Sequence, residues 1–77
     1  MIEEIRRFQK HQPFRPFEII LIDGRKFRVP HPDFILVPPK GAWVYLTDKH
    51  GNTEHLNIVV ISSVRHTDQR VKRRKVG

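Results

Sequence analysis

The chain has no cysteine among its 77 residues. It can therefore hold no disulfide and no zinc site built on thiolates, and the absence fits a reducing, cytoplasmic compartment. A chain of this length buries only about 60% of the surface that its unfolded form exposes. Small domains without such staples often gain stability by self-association. We therefore expect one small domain that forms a homo-oligomer.

Long apolar runs are also missing. No stretch approaches the roughly 20 apolar residues that a membrane helix needs. The first seven residues mix acids and bases with no apolar segment behind them, unlike a secretory signal peptide. These absences predict a protein with no membrane partner.

Acidic residues become scarce only toward the end of the chain. Residues 1–64 hold nine Lys/Arg and seven Asp/Glu, whereas residues 65–77 hold six Lys/Arg and one Asp. An even spread of the net charge of +7 would indicate a basic surface on the fold, but this distribution indicates a basic arm. We predict a single domain over residues 1–67 and a basic, disordered tail over residues 68–77, which have almost no apolar content.

The domain begins with a predicted helix over residues 2–11. Ile2, Ile5 and Phe8 recur at helical spacing and form a narrow apolar stripe, and Pro13 ends the helix. Three apolar side chains do not hold so short a helix in water, so the stripe must dock on the rest of the domain.

Short apolar runs separated by turn residues predict five or six strands after the helix. The predicted strands cover residues 17–22, 25–29, 34–37, 42–47 and 53–62. The fifth strand is predicted to break near Val59, and residues 63–67 either continue it or form a short sixth strand. Asp23-Gly24 predicts a two-residue hairpin turn, because Gly supplies the positive φ that such turns need. No segment is long enough for a helical crossover. The predicted fold class is mainly β: an N-terminal helix and a bent five- to six-strand antiparallel sheet or small SH3-like barrel.

Residue patterns that support catalysis or metal binding are absent. The five histidines match no zinc spacing. The aspartates at positions 23, 33 and 48 fall where turns are expected, and Ser62 and Ser63 lack the sharp turn that presents a nucleophile to a base such as His66. We predict no enzymatic activity, no catalytic residue, no metal, no cofactor and no small-molecule substrate.

Basic residues are the candidate functional groups. The candidates for nucleic-acid binding are Arg70, Lys72, Arg73, Arg74 and Lys75 in the tail, with Lys26 and Arg28 on the second predicted strand. Such cations neutralise phosphates and release counterions, which gives salt-sensitive, sequence-independent binding to RNA or DNA. A solubilising terminus explains the tail equally well, and a Lys-Arg-Arg-Lys cluster also serves as a nuclear address in a eukaryotic host.

Two aromatic residues allow either of two roles, stacking on nucleic-acid bases or packing in the core. Trp43 and Tyr45 share one face of the fourth predicted strand. Aromatic side chains stack on bases in modules that bind single-stranded nucleic acid, but packing in a core is the commoner use of such a pair.

The order of elements resembles the Sm-like small barrels, especially their bacterial RNA-chaperone branch. That branch has a helix, a first strand, an Asn-Gly turn and a late Tyr-Lys-His-Ala-Ile-Ser-Thr-Val segment, which is similar to the Ile-Ser-Ser-Val of residues 61–64. The family's Tyr, Lys and His fall on Asn57, Ile58 and Val59, so its residues for uridine-rich RNA are not carried over. The glycine that bends its second strand is absent too. The resemblance implies a small barrel over residues 2–65.

A second resemblance is to short bacterial proteins with a shared sequence pattern. The pattern is Arg-Pro-Phe, then Ile-x-Leu-x-Asp-Gly-Arg, then His-Pro-x-Phe, and this chain carries it at residues 15–17, 19–25 and 31–34. It implies a bacterial cytoplasmic protein and disfavours the nuclear address.

Two functions follow from these patterns. The first is a non-enzymatic module that contacts RNA or DNA through its basic tail. The alternative is a protein-interaction or self-assembling structural module. In that alternative another chain covers Ile20, Ile22 and the helix stripe. The reason for including Ile20 and Ile22 is that the first strand is apolar on both faces.

Overall fold

The computed structural model describes residues 1–67. Its elements are α1 (Ile2–Lys10), β1 (Phe17–Leu21), β2 (Lys26–Val29), β3 (Ile35–Leu36), β4 (Trp43–Thr47), β5 (Thr53–Asn57) and β6 (Ile61–His66). Two short 3-10 turns, Pro32–Phe34 and Ile58–Val60, precede β3 and β6. The helix and the first four strands each begin and end within one residue of the predicted positions. The five candidate cations of the tail, at positions 70 and 72–75, lie outside the described residues.

The strands form two three-stranded antiparallel sheets. The first sheet has the order β2-β1-β6 and the second the order β3-β4-β5. The mainly β, antiparallel fold with an N-terminal helix is thus confirmed. Closure of the strands into one barrel is not confirmed, because no strand of residues 1–67 is paired in both sheets. Pro30 and Pro32 interrupt the chain between β2 and β3, since proline cannot donate to a ladder. The break near Val59 is the 3-10 turn before β6.

The hairpin between β1 and β2 has a three-residue loop, so the predicted two-residue turn is wrong. Ile20 pairs with Lys26, and the Leu21 amide donates to the Arg25 carbonyl at 2.8 Å. The loop is therefore residues 22–24. Gly24 donates to the Leu21 carbonyl at 2.9 Å and has a φ of +91°, the geometry of a type I turn closed by a left-handed glycine. Ile22 consequently lies in the loop and is 70% exposed.

One apolar core lies between the sheets and beneath the helix. Along β2 and β4 the buried residues alternate with more exposed ones, as the two-residue period of a strand requires, whereas β1, the central strand of its sheet, has no exposed residue. The fully buried side chains are Ile5, Phe17, Ile19, Val29 and Val44. Because both sheets contribute to this core, neither sheet is an independent unit.

The helix stripe packs on the core, as predicted. Ile5 has no exposed surface, and the Phe8 ring meets the edge of Phe17 with centroids 5.3 Å apart. Phe8 also stacks on His66 at 4.5 Å. The Gln9 amide donates to the Ile35 carbonyl at 3.0 Å, which ties the helix to the second sheet. Ile5 is therefore fully occupied within the chain, and Ile2 and Phe8 pack in part against the same core.

Within residues 1–67 no helix has the length and apolar character needed to cross a bilayer.

Candidate nucleic-acid interface

The outer face of the first sheet is basic. Alternation along β1, β2 and β6 buries Phe17, Phe27 and Val64 at least in part and turns their neighbours outward. The outward residues, called the basic face below, are Glu18, Ile20, Lys26, Arg28, Ser63 and Arg65. This face therefore carries three cations and one carboxylate.

Glu18 sits in the middle of the basic face. It is cross-strand partner to Arg28 on one side and to Arg65 on the other, and it is only 8% exposed. The Arg65 Nε donates to the Glu18 carboxylate at 2.7 Å, a charge-assisted hydrogen bond. Lys26 and Arg28 make no ion pair with any residue of 1–67, and both are exposed.

The basic face leads directly to the tail. Arg65 lies three residues before residue 68, and the Thr67 amide donates to the Pro16 carbonyl at 3.0 Å. This bond anchors the end of β6 beside the start of β1. The structure thus places Lys26 and Arg28 on the same face as Arg65, on a sheet whose last strand ends two residues before residue 68.

The outer face of the second sheet is aromatic and carries no formal charge. Its outward residues, called the aromatic face below, are Leu36, Trp43, Tyr45, Thr47, Thr53, His55 and Asn57. Trp43 is 44% exposed and Leu36 59%. The Tyr45 and His55 rings meet edge to face, 4.7 Å apart. Packing of Trp43 and Tyr45 in the core is therefore wrong, because Val44 and Leu46 are the inward residues of β4.

Two adjoining grooves run between these faces. The first groove, of about 530 Å³, is lined by Phe27, Arg28 and the β4–β5 hairpin. The second, of about 420 Å³, includes Leu36 and Tyr45. Both grooves are lined by the same three residues of that hairpin, Leu46, Thr47 and Thr53. Both grooves therefore reach the β4–β5 hairpin.

A hydrogen-bonded loop between β4 and β5 contributes Asp48 and Asn52 to the lining of the first groove. The Asp48 carboxylate accepts from the His50 and Asn52 amides, both at 2.9 Å, and from Asn52 Nδ2 at 3.1 Å. These bonds stabilise the charged form. The Asn52 side chain, followed by the Asn52 backbone, lowers the pKa of Asp48 below its ordinary value.

We expect an NMR titration to show this lowered pKa. Asp48 contributes stability that is complete above its ordinary pKa and is lost as the pH falls through its lowered pKa. Asn52→Ala should raise the Asp48 midpoint toward that of an unstructured aspartate. The Asp23 midpoint should not move, because backbone donation from Arg25 is the main cause of its lowered pKa. An unmoved Asp48 midpoint in Asn52→Ala would contradict the loop geometry.

The predicted turn aspartates and the histidines form no metal site. Among residues 1–67 no three His, Cys, Asp or Glu side chains converge on one point. Asp23 and Asp48 instead bond the amides of their own turns, as expected of aspartate. His66 packs between Phe8 and His11.

Sequence reasoning missed Glu18 as part of the site. Glu18 is the one acidic residue in an otherwise apolar strand, and this is the sequence feature that could have identified it. Its partner Arg65 lies 47 residues away, in the segment whose charge was assigned to the tail. Only the pairing of β1 with β6 joins the two.

No protein-family model, curated protein or solved structure matches the chain. The resemblances seen in the sequence stay predictions, and the function rests on the residues themselves.

Proposed function

We propose that the protein is a non-enzymatic module that binds RNA or DNA without sequence specificity, through the basic face and the tail together. One observation carries the proposal. Arg28 and Arg65 flank Glu18 on the face from which the chain passes into residues 68–77, which hold five more cations. The cations of the basic face and of residues 68–77 together supply the positive charge that neutralises several phosphates of one backbone.

Charge and exposure support this use of the face. Lys26 and Arg28 are exposed and free of ion pairs within residues 1–67, so binding a phosphate would break no ion pair with those residues. Phosphate contacts of this kind fix a protein on nucleic acid without reading bases. Three arginines elsewhere in the domain are paired with carboxylates: Arg6 with Glu3, Arg7 with Glu4 and Arg25 with Asp23.

The proposed setting is the bacterial cytoplasm, and the proposed fold relationship is to the Sm-like small barrels. The element order and the pairing of the first strand with the last support the relationship. A core shared by both sheets supports their being two halves of one bent barrel. The family's RNA-binding residues have no counterpart here, so the proposed contacts are those of the basic face.

A salt titration tests the proposal. Fluorescence anisotropy with short RNA and DNA should give a linear fall of log affinity with log salt. About five tail contacts predict a slope of roughly −3.5 to −4.5, and Lys26 and Arg28 together should add about −1.4 to −1.8. A slope near zero would overturn the proposal.

Two double variants that remove equal charge distinguish the contribution of the basic face from the effect of net charge. Lys26→Gln with Arg28→Gln should remove the contribution of the face. Lys10→Gln with Lys40→Gln removes the same charge elsewhere and should change the slope little. Equal effects of the two double variants would show that only net charge matters and would contradict a role for the basic face.

A protein-interaction or self-assembly function has one observation in its favour. Ile22 and Val59 are 70% and 74% exposed, and the Ile22 amide donates to the Val60 carbonyl at 2.9 Å. Two exposed apolar side chains thus lie on neighbouring turns. Sedimentation at micromolar concentration tests this function: a strict monomer argues against it, and an oligomer that Ile22→Ser dissociates supports it.

A further inference from the structure

The strand β2 has an unpaired backbone edge. It lies at the outside of the first sheet, whose order is β2-β1-β6. The Leu21 amide donates to the Arg25 carbonyl, and hydrogen-bonded pairs alternate with non-bonded pairs along an antiparallel ladder. Phe27 therefore bonds to β1, whereas the N–H and C=O groups of Lys26 and Arg28 point away from it and have no backbone partner within residues 1–67. Such a row of free groups is a template for one more strand.

The β3 edge of the second sheet is engaged by the helix. The Ile35 carbonyl accepts a hydrogen bond from Gln9 Nε2 at 3.0 Å, and the Pro38 carbonyl just beyond β3 accepts one from Arg6 at 2.8 Å. The edge of β2 borders an open groove instead. The first groove, of about 530 Å³, is lined by two residues of β2 together with the β4–β5 hairpin. There is therefore space for an extended chain beside β2.

The side chains beside the β2 edge differ in charge between the two faces of the strand. Lys26 and Arg28 are exposed on the basic face and make no ion pair within residues 1–67. On the opposite face Phe27 lines the first groove together with Asp48 and Glu54. An added strand alternates its side chains between these two faces. Carboxylates are therefore favoured toward the basic face and disfavoured toward the groove, where an apolar side chain meets Phe27.

The same charges argue against a second copy of this chain as the occupant. Antiparallel pairing of two β2 strands would place Lys26 and Arg28 of one copy against those of the other, and like charges directly opposite each other are destabilising. Lysines on an edge strand commonly oppose such self-pairing. Charge complementarity instead favours a strand whose carboxylates recur at every second residue.

We propose that β2 binds an extended segment of a partner protein, which adds to the first sheet as an antiparallel strand. Two acidic side chains of the segment, separated by one apolar residue, lie opposite Lys26 and Arg28. Main-chain hydrogen bonds give such a complex its affinity, and the alternating side chains give it specificity. The inference goes beyond the proposed function and requires no nucleic acid. Because phosphates would use the same two cations, strand binding competes with the contribution of the basic face to nucleic-acid binding.

Hydrogen exchange during a peptide titration tests the proposal. The probe is the blocked peptide acetyl-Thr-Glu-Val-Glu-Thr-amide, which is slightly longer than the four residues of β2. The Lys26 and Arg28 amides should exchange fast in the free protein and slow about tenfold at a peptide concentration of about nine times Kd. The Phe27 and Val29 amides, which bond to β1, should be slow already. Unchanged exchange of the Lys26 and Arg28 amides at millimolar peptide would overturn the proposal.

Matched peptides separate the backbone ladder from charge. Methylating the nitrogen of the first glutamate removes an N–H that points toward β2, and it should weaken binding about tenfold. Methylating the nitrogen of the valine removes an N–H that points away from β2, and it should change the affinity little. The isomer acetyl-Thr-Glu-Glu-Val-Thr-amide directs one carboxylate to each face and should bind more weakly. Binding that survives methylation of the glutamate, or equal binding of the two isomers, would contradict an added strand.

Two double variants test the contribution of the cations. Lys26→Gln with Arg28→Gln removes two cross-strand charge pairs and should weaken peptide binding about 2- to 30-fold. Lys10→Gln with Lys40→Gln removes equal charge elsewhere and should change the affinity less than about twofold, since salt screens distant charges. Equal losses would assign the binding to net charge and remove the site. The exchange and methylation measurements use the unaltered chain, so they decide the proposal even if a glutamine variant does not fold.

Discussion

Phe17→Ala is expected to remove a large fraction of the stability of this protein. Phe17 has no exposed surface, and its ring contacts Phe8 of the helix edge to face and lies 6.0 Å from Phe14. Truncating a fully buried phenylalanine costs about 3–5 kcal/mol, because apolar burial is lost and a cavity remains. A 77-residue chain has a total stability of roughly 4–12 kcal/mol. The loss is thus a large fraction of the whole.

Urea denaturation followed by circular dichroism measures this effect. The midpoint for Phe17→Ala should fall sharply, or the variant should be unfolded without urea. Ile22→Ala is the matched control, because Ile22 is 70% exposed in the hairpin loop and its truncation should change stability by less than about 0.5 kcal/mol. If both variants lost the same stability, the helix and the first sheet would not share the core described above.

Neutralising the tail is expected to have the largest effect on nucleic-acid binding. Replacing the five cations at positions 70 and 72–75 by glutamine removes about five phosphate contacts. The slope of log affinity against log salt should fall to about −1.4 to −1.8, the value expected from Lys26 and Arg28 alone. At moderate salt the affinity should drop on the order of 10³-fold, because the released counterions supply most of the binding free energy. Anisotropy titrations at several salt concentrations give both quantities.

A charge-preserving variant is the control for the tail. Exchanging every tail lysine for arginine and every tail arginine for lysine keeps the charge and changes the hydrogen-bonding groups. The slope should stay that of the unaltered chain, since contacts that only neutralise phosphates depend on charge. A slope that survived full neutralisation would assign binding to the folded domain and reduce the tail to a solubilising terminus.

Much of the fold could be predicted because its signals are local. The alternation of Lys26 and Arg28 with Phe27 and Val29 indicated a strand with one solvated face, and the structure has that strand. The stripe of Ile2, Ile5 and Phe8 indicated a docked helix, which the burial of Ile5 confirms. Each of these signals lies within one turn or one strand, where neighbours in sequence decide the conformation.

The length of the hairpin loop between β1 and β2 could not be predicted from local sequence signals. Asp23-Gly24 located the turn, but the loop length depends on which residues of β1 and β2 face each other. The pairing of Ile20 with Lys26 adds Ile22 to the loop. That register follows from burying Ile19 and Leu21 against the rest of the core, and a shift of one residue would turn both outward.

The candidate sites depend still more on tertiary structure. The sequence by itself determined which residues alternate together, namely Lys26 with Arg28 and Trp43 with Tyr45, and where the excess charge lies. The tertiary structure decided which of those faces are covered. It buries Val44 and Leu46 and leaves Trp43 and Leu36 exposed, and it pairs Glu18 with Arg65 across 47 residues of chain. The physical reason is that side-chain alternation is a property of one strand, whereas burial and cross-strand pairing are properties of several strands packed together.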